Sequence, residues 1–453
     1  MIVENAIVMP PAARSTCIKT ERIEFMAETA RIPCGCDAPD MLGGLMPVDD
    51  AVRLARSLAR PLECVETVDL RNALGRVSAS DVYAPRAMPF FDNAAMDGFA
   101  VRLCDLRANG PWRLPVIATA AAGSALTAID ARPGACRIFT GAPVPHGFDA
   151  VIMQEHCRLA GGKVSFEAMP AGGANIRRRG EDIAEGDTLV CAGTIVEPRH
   201  IGLLAANGIT AVDVRRKIRI AILSTGNELT RGGPLGGTAA IYDANGPMVA
   251  ALCRGALFDA HYLGVLPDDL AAMTAALRAM AGQYDLIIST GAASDGARDH
   301  LRAALVAAGG RVDAHRVALK PGKPVFFGGL GTALYTGLPG NPLAAFVGFE
   351  LFVKAQIEAL AGLLQGPARQ ARAVLRGRVR RKPGRTEFVP VLIAAEAGNR
   401  PVVEPLGHGS SATLYPLSHA DGVVVVPAEC ASLEDGDLVS WLPFPRSTRA
   451  FGV

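Results

Sequence analysis

The ten cysteines form no Cys-x-x-Cys pair, and the closest two, Cys34 and Cys36, are too isolated to read as a zinc site. That usage favours reduced thiols over a disulfide or thiolate-metal framework. No His-Glu-x-x-His, Gly-x-Ser-x-Gly or Walker lysine loop occurs, so nucleophilic hydrolysis has little support. One-sided charge is missing too: Lys plus Arg exceed Asp plus Glu by only 46 − 44 = 2, which indicates neither a nucleic-acid field nor a polybasic membrane anchor. The opening MIVENAIVMPPAARSTCIKTER lacks the unbroken apolar core of a secretory signal, and a cytoplasmic location is expected. Residues 333–349, ALYTGLPGNPLAAFVGF, carry no charge, but Pro339, Gly340 and Pro342 divide them into strand, loop and helix rather than a membrane span.

What is present is a long chain whose texture changes along its length. Its 453 residues predict about three domains, or four if some are small. Residues 1–46 mix Pro, Gly and Cys without periodicity and read as a mobile extension. VDDAVRLARSLARPL, residues 48–62, has a helical stripe of Val48, Val52, Leu54, Ala55 and Leu58 behind an acidic first turn. From about residue 65 to 215 the elements are short and β-like, giving a small β-rich domain and a connector. IRIAILSTGNEL then begins an alternation: helical MVAALCRGALF, strand HYLGVL, helical LAAMTAALRAM, strand DLIIS and helical HLRAALVAAG. Strands alternating with helices predict a doubly wound parallel sheet. After about residue 370 short strands return and read as a small β domain or barrel.

Two strands of the alternating region end in nearly the same words, ILSTGNE and IISTGAAS, and YTGLPGNP adds a third strand-loop-helix passage. In open α/β sheets ligands bind beyond the carboxyl ends of the strands. Glycine lets backbone amides approach an anion there, and a following helix adds its positive end. Ser224, Thr225, Gly226, Ser289, Thr290, Gly291, Pro339, Gly340 and Asn341 are therefore candidate ligand-binding residues. Asn341 fits an N-cap and Pro342 a first helical residue, although a capped helix with no ligand fits the last loop equally well.

Acids recur beside such loops: Asp97, Asp182, Glu228, Asp243, Asp268 and Asp299. In FFDNAAMDGFAVR, Asp92 and Asp97 read first as turn formers, since Asp-Asn and Asp-Gly reverse chains easily. Arg177 to Arg179 in NIRRRGED, and Lys320 and Lys323 in ALKPGKP, supply cations, though the lysine pair also fits an exposed, solvated turn. Two converging carboxylates about 4 Å apart would repel by about 4 kcal/mol at an effective dielectric near 20, so a cation or a proton must accompany them. With no His/Cys cluster, Mg²⁺ is the expected ion. Acids for a metal, with lysines and glycine amides for phosphate, describe phosphoanhydride chemistry.

The stretches FDNAAMDGFAVR, RIFTGAPVP, NIRRRGEDI, STGNEL, ALKPGKP and GLPGNP occur in the order of the MoeA family, the molybdopterin molybdenumtransferases to which the gephyrin E domain is related, and over residues 47–445 the chain resembles that family. The resemblance implies an elongated connector (47–82 and 183–215), a β-rich domain (83–182), a molybdopterin-binding α/β domain (216–370) and a C-terminal β barrel (371–453). It implies a homodimer with a cleft between the β-rich domain of one subunit and the α/β domain of the other. It implies, too, a Mg²⁺-dependent reaction in which adenylylated molybdopterin receives molybdenum from molybdate and AMP is released, with other proteins of cofactor synthesis as possible partners. Carried over by motif, Asp97, Thr140, Asp182, Glu228, Asp268 and Asp299 are catalytic candidates, with Asp92 left to shape its turn. Glu228, Asp182 and Asp243 are metal candidates, and Lys320, Lys323, Arg385 and Ser411 join the ligand-binding set.

The chain departs from the family pattern at Asn227, Ala292, Asp295, Arg316 and Ala344, all near the expected crevice. These departures keep open a paralogue that holds or delivers molybdopterin without inserting metal. Adenylyl transfer to molybdopterin is a further alternative, set against the accompanying β-rich and barrel regions.

Overall fold

A computed structural model of the chain describes residues 44–107, 109–123, 129, 132–233, 239–291, 300–363, 371–407 and 414–444. Two segments far apart in sequence close the connector. Val65–Asp69 pairs antiparallel with Ala211–Arg215, and Val82–Tyr83 pairs with Thr188–Val190. Ala73, Val190, Val196, Leu204, Val212 and Val214 form a core drawn from both segments. The β-rich region is thus inserted between two halves of one small structure.

That region is a six-stranded sheet of β1 (Gly98–Val101), β2 (Trp112–Ala120), β3 (Ala135–Ile138), β4 (Ala150–Met153), β5 (Arg158–Ala160) and β6 (Lys163–Phe166), ordered β4-β1-β3-β2-β6-β5. Alternation along β1 sends Phe99 and Val101 into one apolar cluster and Ala100 into another. Gly98 does not form the turn expected of Asp-Gly. It sits inside β1, where an added Cβ would lie 1.9 Å from the Ile152 carbonyl oxygen, so its missing side chain admits the neighbouring strand.

The α/β domain has the expected doubly wound plan, with one strand reversed. Its strands are β7 (Ile218–Thr225), β8 (Phe258–Leu266), β9 (Leu286–Gly291), β10 (Arg311–His315), β11 (Phe326–Leu330) and β12 (Ala333–Pro339), ordered β8-β7-β9-β12-β11-β10. β8, β7, β9 and β12 are parallel neighbours, whereas β11 runs antiparallel to both β10 and β12. The reversal follows from the hairpin at Gly331, whose φ of 61° suits a tight turn. Along β7, Ile218, Ile220 and Ile222 pack with Val249, Phe349 and Ile357 on one face, while Ala221 and Leu223 pack with Met273, Leu277 and Leu301 on the other. Burying each isoleucine contributes roughly 1.5–3 kcal/mol, and the two packed faces fix the strand's register.

The helix expected in MVAALCRGALF begins earlier, at Asn245, and ends at Leu252. Gly255, at φ 135°, breaks it, and Phe258 opens β8 instead. Val48–Ser57 is helical as expected, and its Val48, Ala51 and Ala55 pack with Val317, Phe352 and Phe388. Just ahead of it Met46 bridges Val317, so ordered pairing starts inside the segment read as an extension.

Near the C terminus β13 (Ala371–Leu375), β14 (Thr386–Ala397), β15 (Arg400–Pro405), β16 (Gly422–Val426) and β17 (Leu438–Pro443) close a ring in the order β14-β15-β13-β17-β16, with β16 pairing back to β14. Closure removes free edges within this five-stranded barrel. Leu319–Lys320 of the KPGKP loop pairs in parallel with Thr386–Glu387, joining the α/β domain to the barrel. No helix among the described residues is long and apolar enough to cross a membrane.

Candidate active site

The parallel register puts the ends of three strands side by side. Ser224 stands opposite Thr290 across β7 and β9, and Gly291 stands opposite Pro339 across β9 and β12. The backbones then approach closely. A Cβ on Gly291 would fall 2.1 Å from the Thr225 carbonyl oxygen, and one on Gly340 would fall 3.2 Å from Gly291 Cα. Gly226 and Gly291 also have φ of 147° and 114°, outside the comfort of other residues. The two Ser-Thr-Gly loops and the Gly-Asn-Pro loop therefore form one edge, as their sequences predict.

Hydroxyls and amides lace this edge. Thr290 Oγ1 donates to Ser224 Oγ at 3.2 Å, and Ser224 Oγ donates to Asp243 Oδ2 at 2.8 Å. The Tyr262 hydroxyl donates to the same carboxylate oxygen, and the Gly246 amide donates to Oδ1 at 3.1 Å. Burial and the bond to Asp243 push the Tyr262 phenol up to about 12, so it stays a donor. Asn245 Nδ2 donates to the Gly340 carbonyl at 2.7 Å, tying the loop after Asp243 to Gly-Asn-Pro. Asn341 occupies the N-cap position before Pro342 but does not cap, and its Oδ1 is buried without a hydrogen-bond partner. Ser289 Oγ and Asn245 Oδ1 are likewise buried and unsatisfied. Three such groups at one strand-end edge leave hydrogen-bonding capacity for a ligand.

Glu228 is exposed beside Gly226, where a Cβ would lie 2.7 Å from Glu228 Oε1, and its carboxylate accepts no hydrogen bond from a described residue. Asn227 and Asp268 clasp each other: the Asp268 amide donates to Asn227 Oδ1 at 3.0 Å, and the Asn227 amide donates to Asp268 Oδ2 at 3.4 Å. Asn227 therefore fills an acceptor role without adding a charge between two acids.

The KPGKP loop is not the solvated turn its lysines first describe. Pro321 and Gly322 are buried, and a Cβ on Gly322 would lie 3.7 Å from that of Ala344 in the helix after Gly-Asn-Pro. Lys320 Nζ is 3.6 Å from Glu387 Oε1, and Lys323 is half-buried. Arg385 precedes Thr386, whose amide donates to the Ala318 carbonyl at 2.9 Å, so it lies along the same seam. Arg316, at φ 64°, holds a left-handed conformation at the base of the loop.

A second group sits on the β-rich region. Thr140 donates to Asp97 Oδ1 through its amide at 2.7 Å and its hydroxyl at 2.8 Å. These bonds hold the Asp97 carboxyl below the usual carboxylate range. A cleft beside Asp97 is lined by Arg137, Phe139, Gln154, Glu155 and Cys157. Asn93–Ala94 pairs with Ile176–Arg177, which brings the FFDNAAMDG and NIRRRGED stretches together. Asp92 does more than shape its own turn. It accepts from the Arg179 amide at 2.8 Å and from Arg178 Nη1 at 2.6 Å, and these bonds, led by the amide, depress its carboxyl. Asp182 is exposed, next to the Met88–Ile183 bridge.

Within one chain these two groups stay apart: no hydrogen bond, ion pair or apolar core joins Asp97, Thr140 or Asp182 to Glu228, Asp243 or Asp268 among the described residues. Nor do three or more His, Cys, Asp or Glu side chains group to hold a metal among the described residues. Asp299 and Ser411, and Ala292 and Asp295 with them, lie outside the described residues. Sequence reasoning passed over Tyr262, Asn245 and Glu387, which acquire their partners only through folding.

A doubly wound α/β domain with three ligand-ready strand-end loops, flanked by a β-rich sheet and a closed barrel, defines the class of protein. Family models agree over nearly all of the described chain: residues 46–208 match the MoeA N-terminal region (domain I and II), 221–359 a probable molybdopterin binding domain, and 372–444 the MoeA C-terminal region (domain IV). The chain is 35% identical to a molybdopterin molybdenumtransferase of Haemophilus influenzae over 84% of its own length and 94% of that protein's. It is 34% identical to one of Bacillus subtilis over 88% and 94%. A crystal structure of a molybdopterin biosynthesis moeA protein from Pyrococcus horikoshii superposes with a TM-score of 0.75 at 30% identity, covering 89% of this chain and all of that one. The chain belongs to the MoeA family.

Proposed function

We propose that this protein is a molybdopterin molybdenumtransferase: it inserts molybdenum from molybdate into adenylylated molybdopterin and releases AMP, with Mg²⁺ as the metal. The observation that carries this reading is the stacking of the Thr225, Gly291 and Gly340 backbones at one sheet edge, beside an unengaged Glu228. Glycines at such an edge let amides cradle phosphate oxygens. Lys320, Lys323 and Arg385 supply charge for oxyanions along the neighbouring seam. The name shared by the curated relatives supports the reaction class.

The donor set fits a magnesium ion that is held mainly by substrate. Mg²⁺ is commonly bound through one or two carboxylates plus phosphate oxygens. Glu228 fits as a ligand because both its oxygens are open. Asp243 already receives three donors and is better suited to hold Ser224 and the loop in place. When bound, the ion offsets charge on the phosphoanhydride. The protein's own contribution is to orient the phosphates on the loops and to hold Glu228 and Asp268 at the rim.

Asp97, Thr140 and Asp182 reach this chemistry in a homodimer, where the β-rich region of one subunit faces the α/β edge of the other. Their separation within one chain favours that arrangement. We place the reaction in the cytoplasm, in keeping with the free thiols at all seven described cysteines.

The test is turnover. Purified protein given adenylylated molybdopterin, molybdate and Mg²⁺ should release AMP and activate a molybdenum-free acceptor enzyme. Ligand binding without AMP release would select the delivery reading instead. Mixing inactive Asp97→Asn and Glu228→Gln proteins should restore part of the activity through hybrid dimers, and no recovery after verified subunit exchange would rule out a shared cleft.

A further inference from the structure

The seam between the α/β domain and the barrel contains an acid with no role so far. Glu387 lies on β14 in register with Lys320 and is only 6% exposed. Its Oε1 is 3.6 Å from Lys320 Nζ, and its Oε2 is 3.5 Å from Arg381 Nε. Arg381, itself 7% exposed, donates to the carbonyls of Val426, Pro427 and Ala428, each at 3.3 Å, so barrel backbone fixes its place. Glu387 Oε2 is shut from solvent and accepts no hydrogen bond. A carboxylate this buried is costly to desolvate, and it is tolerated when cations face it. Lys320 keeps some solvent access at 14% exposure.

We propose that Glu387 is a positioning residue for the binding of a tetrahedral oxyanion. Anchored by Arg381, it sets the Lys320 ammonium in place, so that the lysine presents its charge together with Lys323 and Arg385. The proposal rests on the reading above in which Lys320 binds oxyanions. A lysine free to rotate loses rotamer freedom when it grips an anion, and one fixed beforehand does not. Simple electrostatics predicts the reverse sign, because removing the Glu387 charge would strengthen the pull of Lys320 on an anion. The two accounts separate on one neutral substitution.

The experiment is calorimetric titration of the full chain with molybdate and, separately, with inorganic phosphate, using wild type, Glu387→Gln, Lys320→Ala and the double variant. Glu387→Gln should weaken binding of whichever oxyanion the wild type takes by about ten-fold, and should add nothing in the Lys320→Ala background. Binding of molybdate alone would assign the seam to the metal oxyanion, and binding of both would assign it to tetrahedral oxyanions generally; either is compatible only with that weakening. Equal or tighter binding in Glu387→Gln, or a loss that persists without Lys320, overturns the proposal. A wild type that binds neither anion instead removes the premise that Lys320 binds oxyanions. Should the neutral variant fail to fold, Glu387→Asp keeps the charge but shortens its reach to both Lys320 and Arg381, and wild-type affinity there would also overturn the proposal.

Discussion

The Ser224 hydroxyl donates to Asp243 Oδ2 at 2.8 Å, and the Tyr262 hydroxyl meets the same oxygen from the neighbouring strand. The carboxylate therefore joins the first strand-end loop to the edge strand β8. Tyr262→Phe keeps the ring under the Arg231 guanidinium, 4.8 Å from its centroid, and removes only the hydroxyl. It should cost about 1–2 kcal/mol in urea denaturation and weaken adenylylated-substrate binding several-fold. Unchanged stability and affinity would show that Ser224 and Gly246 hold Asp243 unaided.

Among the strand-end loops, backbone approach is tightest at Gly291. Gly291→Ala pushes a methyl to 2.1 Å from the Thr225 carbonyl oxygen while φ is 114°, so both contact and conformation oppose it. We expect a loss of about 3 kcal/mol and no measurable substrate binding. Gly282→Ala is the control: its φ of 76° is also unfavourable, but no atom lies within 4 Å. It should cost about 1 kcal/mol and leave binding intact. Comparable losses at the two sites would mean that φ alone, rather than the stacked loops, sets the cost.

Thr140 holds Asp97 with an amide and a hydroxyl, the amide being the larger influence on its lowered carboxyl. A carboxyl depressed by folding keeps its native bonds above its ordinary value and loses them as pH falls through the folded value. Thr140→Val removes the hydroxyl and leaves the amide, so the Asp97 carboxyl should rise part of the way back. Carboxyl-carbon NMR should record that rise, and the acid limb of the pH-rate profile should move to higher pH. An acid limb that stays in place would exclude Asp97 as the group that sets it.

Much of this arrangement was legible because it is local. The alternating apolar residues of IRIAILST and DLIIS announce parallel strands, and a Ser-Thr-Gly ending announces an edge loop. What escaped depends on contacts between distant segments. Gly98 reads as a turn residue until the Ile152 carbonyl is found against it. The KPGKP lysines read as solvated until the barrel brings Glu387 to Lys320. The antiparallel course of β11 follows from a hairpin at Gly331-Thr332, which carries none of the Asn-Gly or Asp-Gly signals of tight turns. Tyr262 sits in an ordinary edge-strand pattern, and nothing near it in sequence points to Asp243.

The role of the strand-end edge is tested most directly by single-turnover AMP release from adenylylated molybdopterin with molybdate and Mg²⁺, comparing wild type with Glu228→Gln. Glu228 is exposed and accepts no hydrogen bond from the described residues, so the amide should leave the fold nearly unchanged. AMP release should fall by about 10² or more. An equal rate of release in the two proteins would contradict a catalytic Glu228 at this edge.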